Sequence, residues 1–389
     1  MCSAIRKEKI ILKVCNLDNR KKLLAARRWV IKVGSSLLTD DGAAINGNMI
    51  KSLADQLSYQ IIHGKEVVLV SSGAVAAGIV KLGLHNRPSA LHELQAAAAV
   101  GQSDLIRVYE EAFSEMGLKI AQVLLGHDDI AARDRYLNAR STLNTLLALG
   151  VIPLVNENDT VATDEIRFGD NDTLAALVAN LVDADALLLL TDQEGLMSED
   201  PRYSKNASLI EASDVFSSNL DQIAKDGGGF GRGGMKSKLS AARIASRSGT
   251  ETIIADGRKK KIISKVAAGD NLGTLLSSGR KPESARKQWL ASMVQIRGQL
   301  TLDTGAIEVL QSSGKSLLPI GVIELTGEFG RGDLVSCIDK NGNEVARGLV
   351  NYDFSEAKKI IGLSSSDIQS KLGYGGENEL IHRDNLILI

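Results

Sequence analysis

Hydrophobic residues in the first two-thirds of the chain form short apolar runs, and these runs are separated by longer segments with helical periodicity. Six runs rich in Val, Ile and Leu predict buried strands, at Trp29–Val33, Glu66–Val70, Lys119–Leu125, Val151–Val155, Ala186–Thr191 and Thr252–Ala255. Five intervening segments predict helices, at Met49–His63, Leu91–Met116, Asp134–Leu149, Thr173–Leu181 and Gly234–Arg247. Uninterrupted apolar strands are typical of a sheet covered on both faces. The alternation therefore predicts a three-layer α/β/α sandwich with a mostly parallel sheet.

The pattern changes near Gly279, where a polar, charged segment containing Pro282 predicts a linker. Beyond it, short strand-like runs follow one another closely, and Asp303–Gly305 and Asn341–Gly342 predict hairpin turns. This part predicts a small β-barrel-like module. The predicted domains are a basic extension at 1–27, the α/β domain at 28–278, a linker at 279–294, the β module at 295–376 and a tail at 377–389.

The first 28 residues carry nine Lys and Arg against two acids, and no small-residue cleavage site follows an apolar core. We interpret them as a flexible extension and not as a secretory signal. The three cysteines match neither a zinc pattern nor a disulfide framework, which favours free thiols in a reducing cytoplasm. No apolar run reaches the length of a membrane span, so no membrane partner is expected.

The overall composition is that of an ordinary globular protein, with 44% hydrophobic and 24% charged residues. The net charge of −1 does not suit the chain as a whole to a polyanion. Aromatic residues make up only 4% of the chain, which argues against a base-stacking surface and a carbohydrate cleft. Any specialised charge must therefore be local.

Three predicted strand ends carry residues that suit an anionic or polar ligand. In VIKVGSSLL, the strand with Lys32 runs into a turn at Gly34, where backbone amides can approach a phosphate. In Val68–Gly78, a second strand ends in Ser-Ser-Gly before a helix, whose N-terminus attracts anions. A third strand ends at Thr191 and Asp192, and ligands of open α/β sheets bind beyond such ends. Taken alone, the first is better explained by a strand edge with a solvated lysine, the second equally by a βα turn with a serine N-cap, and the third also by a helix or turn cap.

A glycine-rich segment, Gly227–Ala245, opens a predicted helix that carries Arg232, Lys236 and Lys238. Glycines combined with three cations at a helix start favour a polyphosphate ligand over a disordered loop. The spacing is not that of a Walker A loop. The letters GFGRGG also lack the preceding strand and the following acid of a dinucleotide fingerprint.

The segment from Asn156 to Asp172 is strongly acidic. It contains one cation, Arg167, and six carboxylates, which are Glu157, Asp159, Asp164, Glu165, Asp170 and Asp172. Three interpretations stand open: oxygen ligands for a divalent cation, a solvated acidic loop, or a site for a cationic group such as an α-ammonium. The amides of Asn156, Asn158 and Asn171 would supply the neutral donors and acceptors that selective recognition needs.

These stretches, taken together and in order, resemble the amino acid kinase family. The matching stretches are the strand with Lys32, VSSGAVAAG, LNARSTLNTLL, VIPLVNENDTVAT, GDNDTLAALVA, LLLLTDQEGL and GRGGMKSKLSAA. The resemblance runs from about Arg28 to the C-terminus and is strongest to members that phosphorylate glutamate, while the β module resembles a PUA domain. It implies ATP-dependent phosphorylation of the γ-carboxylate of L-glutamate to L-glutamyl 5-phosphate, the first step of proline biosynthesis. Mg²⁺ would be held mainly by the ATP phosphates, without a protein metal site.

The resemblance also implies residue roles. Catalysis would fall to Lys32 and Lys238, which meet the transferring phosphoryl group, and to Asp172, which orients both lysines. Ser72, Asp159 and Asn171 match glutamate-binding positions. The nucleotide-binding positions would be Lys32, Thr191, Asp192, Arg232, Gly233, Gly234, Met235, Lys236, Ser237 and Lys238. Arg232 stands where some relatives have a small hydroxyl residue, which implies altered nucleotide contacts, and the basic extension has no counterpart in the resemblance.

Further partners follow from the resemblance alone: proline as a feedback inhibitor, glutamyl phosphate reductase as recipient of the product, and a second copy of the chain in a dimer or tetramer. The nearest alternative is another amino acid kinase, acting on N-acetylglutamate or aspartate. An RNA-associated role through the PUA domain is the alternative from a different class. From Arg297 to Gly375 there are eight cations and ten acids, a net charge of −2, which disfavours nucleic acid.

Overall fold

The computed structural model describes residues 20–39, 45–162, 170–199, 204, 206–220, 223, 234–279 and 296–389. Of these, the residues within Met1–Asp128 and Arg140–Pro282 form one compact unit. Those within Asp129–Ala139 and Glu283–Ile389 form a second. No helix in the described ranges is both long and apolar enough to cross a membrane.

An eight-stranded sheet, in the order β3-β4-β2-β1-β5-β7-β8-β6, organises the first unit. Its strands are β1 (Arg28–Val33), β2 (Glu66–Val70), β3 (Lys119–Leu125), β4 (Val151–Glu157), β5 (Ala186–Thr191), β6 (Ala212–Asp214), β7 (Glu251–Asp256) and β8 (Thr274–Ser277). Adjacent strands run parallel except β7 and β8, which are antiparallel. The predicted mostly parallel sheet is therefore confirmed.

Helices connect these strands. They are α1 (Ser35–Leu38), α2 (Gly47–Ile62), α3 (Ala74–Lys81), α4 (Leu91–Ser114), α5 (His127–Ala131), α6 (Arg133–Ala148), α7 (Asn171–Leu181), α8 (Met235–Ala245) and α9 (Ile262–Ala267). The central strands β1 and β5 are buried along almost their whole length, as covering on both faces requires. Their aliphatic side chains contribute to a core that also takes in α2, α4 and α9.

The periodicity located the long elements well and missed the short ones. Three strands, β2, β3 and β5, begin and end where predicted, whereas β6 and β8 were not predicted because three or four residues give too little pattern. β3 is not buried on both faces as expected, since it forms one edge of the sheet and most of its residues are only half-buried or exposed.

Residues 20–26 correct the expectation of a wholly flexible basic extension. Residues 20–25 are helical, and the side chain of Leu23 is 1% exposed within the core of the first unit. The buried guanidinium of Arg20 donates to four main-chain carbonyl oxygens, those of Glu211, Asp270, Leu272 and Gly273, at 2.9 to 3.0 Å. Burying a charged group without hydrogen-bond partners would be costly, and these four acceptors offset that cost. Residues 20–26 can therefore pack against the first unit.

The second unit contains a five-stranded sheet in the order β10-β9-β11-β12-β13. Its elements are β9 (Gly298–Leu302), α10 (Thr304–Ser313), β10 (Val322–Gly327), β11 (Leu334–Ile338), β12 (Glu344–Leu349), α11 (Phe354–Ile360), α12 (Ile368–Leu372) and β13 (Leu386–Leu388). The hairpin predicted at Asn341–Gly342 is confirmed between β11 and β12. The hairpin predicted at Asp303–Gly305 is wrong: Asp303 caps α10 by accepting the Ala306 amide at 2.7 Å, because aspartate serves helix N-caps as well as turns.

Candidate active site

The carboxyl ends of three adjacent parallel strands meet around Lys32. This residue lies on β1, in register with Val70 of β2 on one side and Leu189 of β5 on the other. The amide of Gly34 donates to the carbonyl oxygen of Leu190 at 3.0 Å, where the chain leaves the sheet. The strand ends of an open α/β sheet form its usual ligand-binding edge, so the topology places Lys32 there.

Lys32 and Lys238 contact the same carboxylate from different parts of the chain. Lys32 Nζ lies 2.7 Å from Asp172 Oδ1, and Lys238 Nζ lies 2.9 Å from Asp172 Oδ2. Ser237 Oγ also donates to Asp172 Oδ2, at 3.1 Å. Asp172 is completely buried, and Lys32 and Lys238 are only 6% and 5% exposed. The three residues proposed from the sequence for catalysis are therefore brought into one cluster.

The charge balance of this cluster favours an anionic ligand. Burial by itself would raise the pKa of Asp172, but the two ammonium groups outweigh that effect and hold the pKa below its ordinary value. Asp172 is therefore ionised at neutral pH and is unsuited to act as a general base. Two cations share this one carboxylate, which leaves one positive charge among the three side chains. That excess charge suits a phosphoryl group.

The first turn of α7 fixes the position of Asp172. Asp170 is the N-cap of this helix, and its Oδ1 accepts the Thr173 amide at 2.8 Å. The positive end of a helix macrodipole stabilises carboxylates in its first turn. The DND sequence thus combines a cap, the amide side chain of Asn171 and the buried carboxylate in three consecutive residues.

The N-terminus of α8 supplies the second lysine. Gly234 precedes the helix, and its carbonyl oxygen accepts from the amides of Ser237 and Lys238. Met235 is half-buried and Lys236 is exposed, so the turn presents a cation to solvent as well as one to Asp172. Two further residues of the expected nucleotide-binding set, Arg232 and Gly233, lie outside the described residues.

Thr191 and Asp192 lie at the end of β5, next to the end of β7. Thr191 is in register with Asp256, and its hydroxyl donates to Asp192 Oδ1 at 3.1 Å. Arg258 binds Asp256 through Nε at 2.9 Å and Nη2 at 3.0 Å, and Nη2 also donates to the main-chain oxygen of Asp192 at 2.5 Å. Asp192 itself is exposed. A polar strand end with an exposed carboxylate is chemically suited to ribose hydroxyls.

Asn171 connects α7 to the turn that follows β2. Its Nδ2 group donates to Ser72 Oγ at 3.1 Å, to Asn156 Oδ1 at 2.8 Å and to the main-chain oxygen of Ser71. Two of the expected amino-acid-binding residues, Ser72 and Asn171, are thus in direct contact. The third, Asp159, is half-buried in the turn that follows β4.

The carboxylates of the acidic segment have separate environments. Glu157 is 7% exposed at the end of β4, Asp170 caps α7, and Asp172 pairs with the lysines. Asp164 and Glu165 lie outside the described residues. Among the residues that the structure does describe, no group of three or more His, Cys, Asp or Glu side chains could hold a metal ion.

Sequence reasoning missed Gln102 and Arg258, which contact residues of the candidate site. Gln102 Oε1 accepts from Asn156 Nδ2 at 2.8 Å, and Arg258 holds the backbone of Asp192. Gln102 follows the alanine-rich run of α4, so its sequence context suggests that it packs against a neighbouring helix. The signal that could have identified it is its position one residue after the buried Gly101. Arg258 lies two residues beyond β7, where a polar residue is unremarkable in sequence.

Comparison with known proteins identifies the family of this chain. Residues 27–256 match the model of the amino acid kinase family, and residues 298–372 match that of the PUA domain. The chain belongs to the amino acid kinase family. Among solved structures, a UMP kinase from Bacillus anthracis is 15% identical, with a TM-score of 0.46 over 66% of this chain and 97% of that one.

Curated relatives that are more than half identical to this chain are named glutamate 5-kinase. The glutamate 5-kinase of Saccharophagus degradans is 56% identical over 96% of this chain and all of the relative. That of Teredinibacter turnerae is 55% identical, and that of Pseudomonas paraeruginosa is 54% identical, over 96% and 95% of this chain. The alignment with the first relative spans 373 residues of a chain of 389, so it reaches into residues 1–27. Part of the basic extension therefore does have a counterpart, contrary to the expectation from sequence.

Proposed function

We propose that the protein catalyses ATP-dependent phosphorylation of the γ-carboxylate of L-glutamate, giving L-glutamyl 5-phosphate for proline biosynthesis. The observation that carries the proposal is the pair of buried lysines, Lys32 and Lys238, held on opposite oxygens of Asp172 beside the end of β5. The relatives named glutamate 5-kinase support the choice of substrate. A cytoplasmic location goes with this proposal, since that is where ATP and glutamate are available.

The mechanism needs charge neutralisation and positioning, with no base. A γ-carboxylate is already deprotonated at neutral pH and can attack the terminal phosphorus of ATP directly. Negative charge then spreads over the oxygens of the transferring group and the leaving phosphate. Lys32 would meet the transferring phosphoryl group, and Lys238 the leaving phosphates. Asp172 would hold both ammonium groups in place before the substrates arrive, which lowers the cost of reorganisation during reaction.

The two substrates would approach this cluster from opposite sides. ATP would lie along Thr191, Asp192 and the start of α8, with Gly234, Met235, Lys236 and Ser237 near its phosphates. Arg232 and Gly233 belong to the same proposed set. The amino acid would bind at Ser72, Asp159 and Asn171. Asn171 and Asp172 are consecutive, so substrate recognition and lysine alignment would be coupled through one helical turn.

Mg²⁺ would enter with the ATP phosphates. Both oxygens of Asp172 already contact lysine ammonium groups at 2.7 and 2.9 Å, which makes this carboxylate a poor metal ligand. Mg²⁺ in phosphoryl-transfer sites commonly keeps several waters and takes most other ligands from phosphate. The metal would neutralise phosphate charge that the two lysines do not reach.

The decisive experiment is turnover by the full-length protein against glutamate, aspartate and N-acetylglutamate, with hydroxylamine present to trap the acyl phosphate. We expect hydroxamate formation that depends on ATP, Mg²⁺ and glutamate, with much lower rates for the other two acids. Equal or higher turnover of N-acetylglutamate or aspartate would assign the chain to another amino acid kinase activity. ATP turnover without hydroxamate would exclude transfer to a carboxylate.

Three partners accompany this proposal. Proline would act as a feedback inhibitor by competing with glutamate, a second copy of the chain would form a dimer or tetramer, and glutamyl phosphate reductase would receive the labile product. Initial rates over a range of proline concentrations test the first. An unchanged rate at every concentration would remove proline from the proposal. Light scattering of the purified protein tests the second, and a reductase-coupled assay tests the third.

A further inference from the structure

A chain of side-chain amides runs from α4 to α7 behind the proposed glutamate site. Asn156 lies in the middle, at the end of β4, and is 2% exposed. Its Nδ2 donates to Gln102 Oε1 at 2.8 Å. Its Oδ1 accepts from Asn171 Nδ2 at 2.8 Å and from the Glu157 amide at 2.9 Å. The three carboxamides are therefore joined in one direction, from Asn171 through Asn156 to Gln102.

Two main-chain groups fix this direction. Amide oxygen and nitrogen are assigned from their hydrogen bonds, and a backbone N–H can only donate while a backbone carbonyl can only accept. The Glu157 N–H therefore requires the oxygen of Asn156 on its side, which turns the NH₂ group of Asn156 toward Gln102. The Ser71 carbonyl requires the NH₂ group of Asn171 in the same way. Neither carboxamide can rotate by half a turn without placing like groups together.

This direction determines what Asn171 can offer to a ligand. Three acceptors, namely the Ser71 carbonyl, Ser72 Oγ and Asn156 Oδ1, share the two hydrogens of its NH₂ group. Of the two polar atoms of the Asn171 side chain, the oxygen is therefore the one left to bind a ligand. An α-ammonium group carries three donors and no acceptor, so it needs such an oxygen. A ligand carboxylate in that position would be repelled.

The packing of α4 against α3 places Gln102 at the end of this chain. A β-carbon on Gly101 would lie 1.9 Å from the carbonyl oxygen of Ala74, and one on Gly78 would lie 1.7 Å from that of Ala97. Only glycine permits so close an approach of two helix backbones. Gln102 follows Gly101 directly, so this approach brings its side chain within reach of Asn156 at the end of β4.

We propose that Gln102 is a positioning residue for recognition of the amino group of glutamate. The side-chain oxygen of Gln102 accepts a hydrogen bond from the NH₂ group of Asn156. Asn156 in turn accepts a hydrogen bond from the NH₂ group of Asn171, which keeps the oxygen of Asn171 directed to the ligand. Gln102 acts through these two amides and does not touch the substrate. The inference rests on the proposed function, because it assigns the role of Asn171 within that site.

The test compares Gln102→Leu with Gln102→Glu in the full-length protein. Leucine removes the acceptor and leaves a buried donor of Asn156 without a partner, whereas glutamate retains an acceptor oxygen. We expect Gln102→Leu to raise the KM for glutamate about tenfold, the factor that corresponds to one lost buried hydrogen bond, with little change in the KM for ATP. Gln102→Glu should return the KM for glutamate to within about threefold of wild type. Gln122→Leu, at an exposed position of β3, is the matched control.

Three results would overturn the inference. Equal increases in both KM values for Gln102→Leu would indicate general damage to the fold, which thermal unfolding would reveal independently. An unchanged KM for glutamate would show that the orientation of Asn156 does not need Gln102. A larger defect in Gln102→Glu than in Gln102→Leu would mean that the NH₂ group of Gln102 contacts the substrate carboxylate directly. If the wild-type protein did not phosphorylate glutamate, the proposed function itself would be rejected. A failure of the proposed function can therefore be distinguished from a failure of the inference about Gln102.

Discussion

Lys32 on β1 and Asp172 on α7 form a buried ion pair of 2.7 Å that joins the central strand of the sheet to the first turn of a helix far along the chain. Because Lys238 occupies the other oxygen of the same carboxylate, the spacing between the two lysines is set by a single residue. In the proposed mechanism, the placement of both lysines for phosphoryl transfer therefore depends on a carboxylate that is present and ionised.

Replacing Asp172 by Asn should therefore reduce both activity and stability. Two buried ammonium groups would lose their counter-charge, and we expect turnover to fall about a hundredfold or more and the free energy of unfolding to fall by about 3 kcal/mol. Chemical denaturation at neutral pH and initial-rate assays give the two quantities. Wild-type stability in Asp172→Asn would show that the ion pairs contribute nothing to the fold.

The same variant makes a prediction about pH. The pKa of Asp172 is lowered in the folded protein, so its contribution to stability is complete above the ordinary carboxyl pKa of about 4. It is lost as the pH falls through the lower pKa of the folded state. The stability difference between wild type and Asp172→Asn should therefore narrow below about pH 4. A difference that grows in acid would contradict a lowered pKa.

Substitution of Lys238 by Ala should remove most turnover while the protein stays folded. The ammonium group would no longer meet charge that develops in the transition state, and we expect kcat to fall about a hundredfold or more. Lys265→Ala on α9, where the side chain is exposed, is the control for loss of a lysine. Near-normal kcat in Lys238→Ala, measured by hydroxamate formation, would remove Lys238 from the proposed mechanism.

Asp159→Ala should affect the two substrates unequally. If Asp159 accepts from the α-ammonium of glutamate, the KM for glutamate should rise by about tenfold or more, while the KM for ATP changes little. Asp55→Ala, at an exposed position of α2, should leave both values unchanged. Parallel changes in the two KM values would argue against a role in binding the amino acid.

Arg258→Ala should show the opposite selectivity. Arg258 holds the main-chain oxygen of Asp192 and the carboxylate of Asp256, so its loss would loosen the strand end proposed to bind the nucleotide. We expect the KM for ATP to rise by about threefold to tenfold, the effect of losing the hydrogen bond that holds the main chain of Asp192. The KM for glutamate should be unchanged. Arg247→Ala supplies an exposed arginine as control. A change confined to glutamate would contradict the proposed placement of ATP.

Replacing Arg20 by Met should lower stability without changing either KM. The change leaves four main-chain carbonyl oxygens without their donor, and we expect the free energy of unfolding to fall by about 3 kcal/mol. Urea titration measures the change, and Lys21→Met, at an exposed neighbouring position, is the control. An unchanged midpoint would mean that Arg20 does not hold this region together.

Sequence predicted the parts of the molecule that repeat a local pattern. Apolar runs located the central strands, because a strand in the middle of a sheet covered on both faces needs apolar side chains on both sides, and helical periodicity located α4 and α7. Asp303 was misread because one residue type satisfies a turn and a helix cap alike, and only the following helix decides between them. Gln102 was missed because its partner is 54 residues away, a relationship that no local pattern encodes.

The partners of Arg20 have a consequence for how this protein can vary. Its four acceptors are all main-chain carbonyls, which every amino acid supplies. The side chains at positions 270 and 272 can therefore change without breaking these hydrogen bonds, whereas the side chain at position 20 cannot. Because the acceptors are main-chain atoms, a change at position 20 cannot be compensated by a change of side chain at the acceptor positions. Covariation between residue pairs in homologues should therefore not reveal these hydrogen bonds. The anchoring of this segment would then be recorded in the sequences as a single invariant arginine.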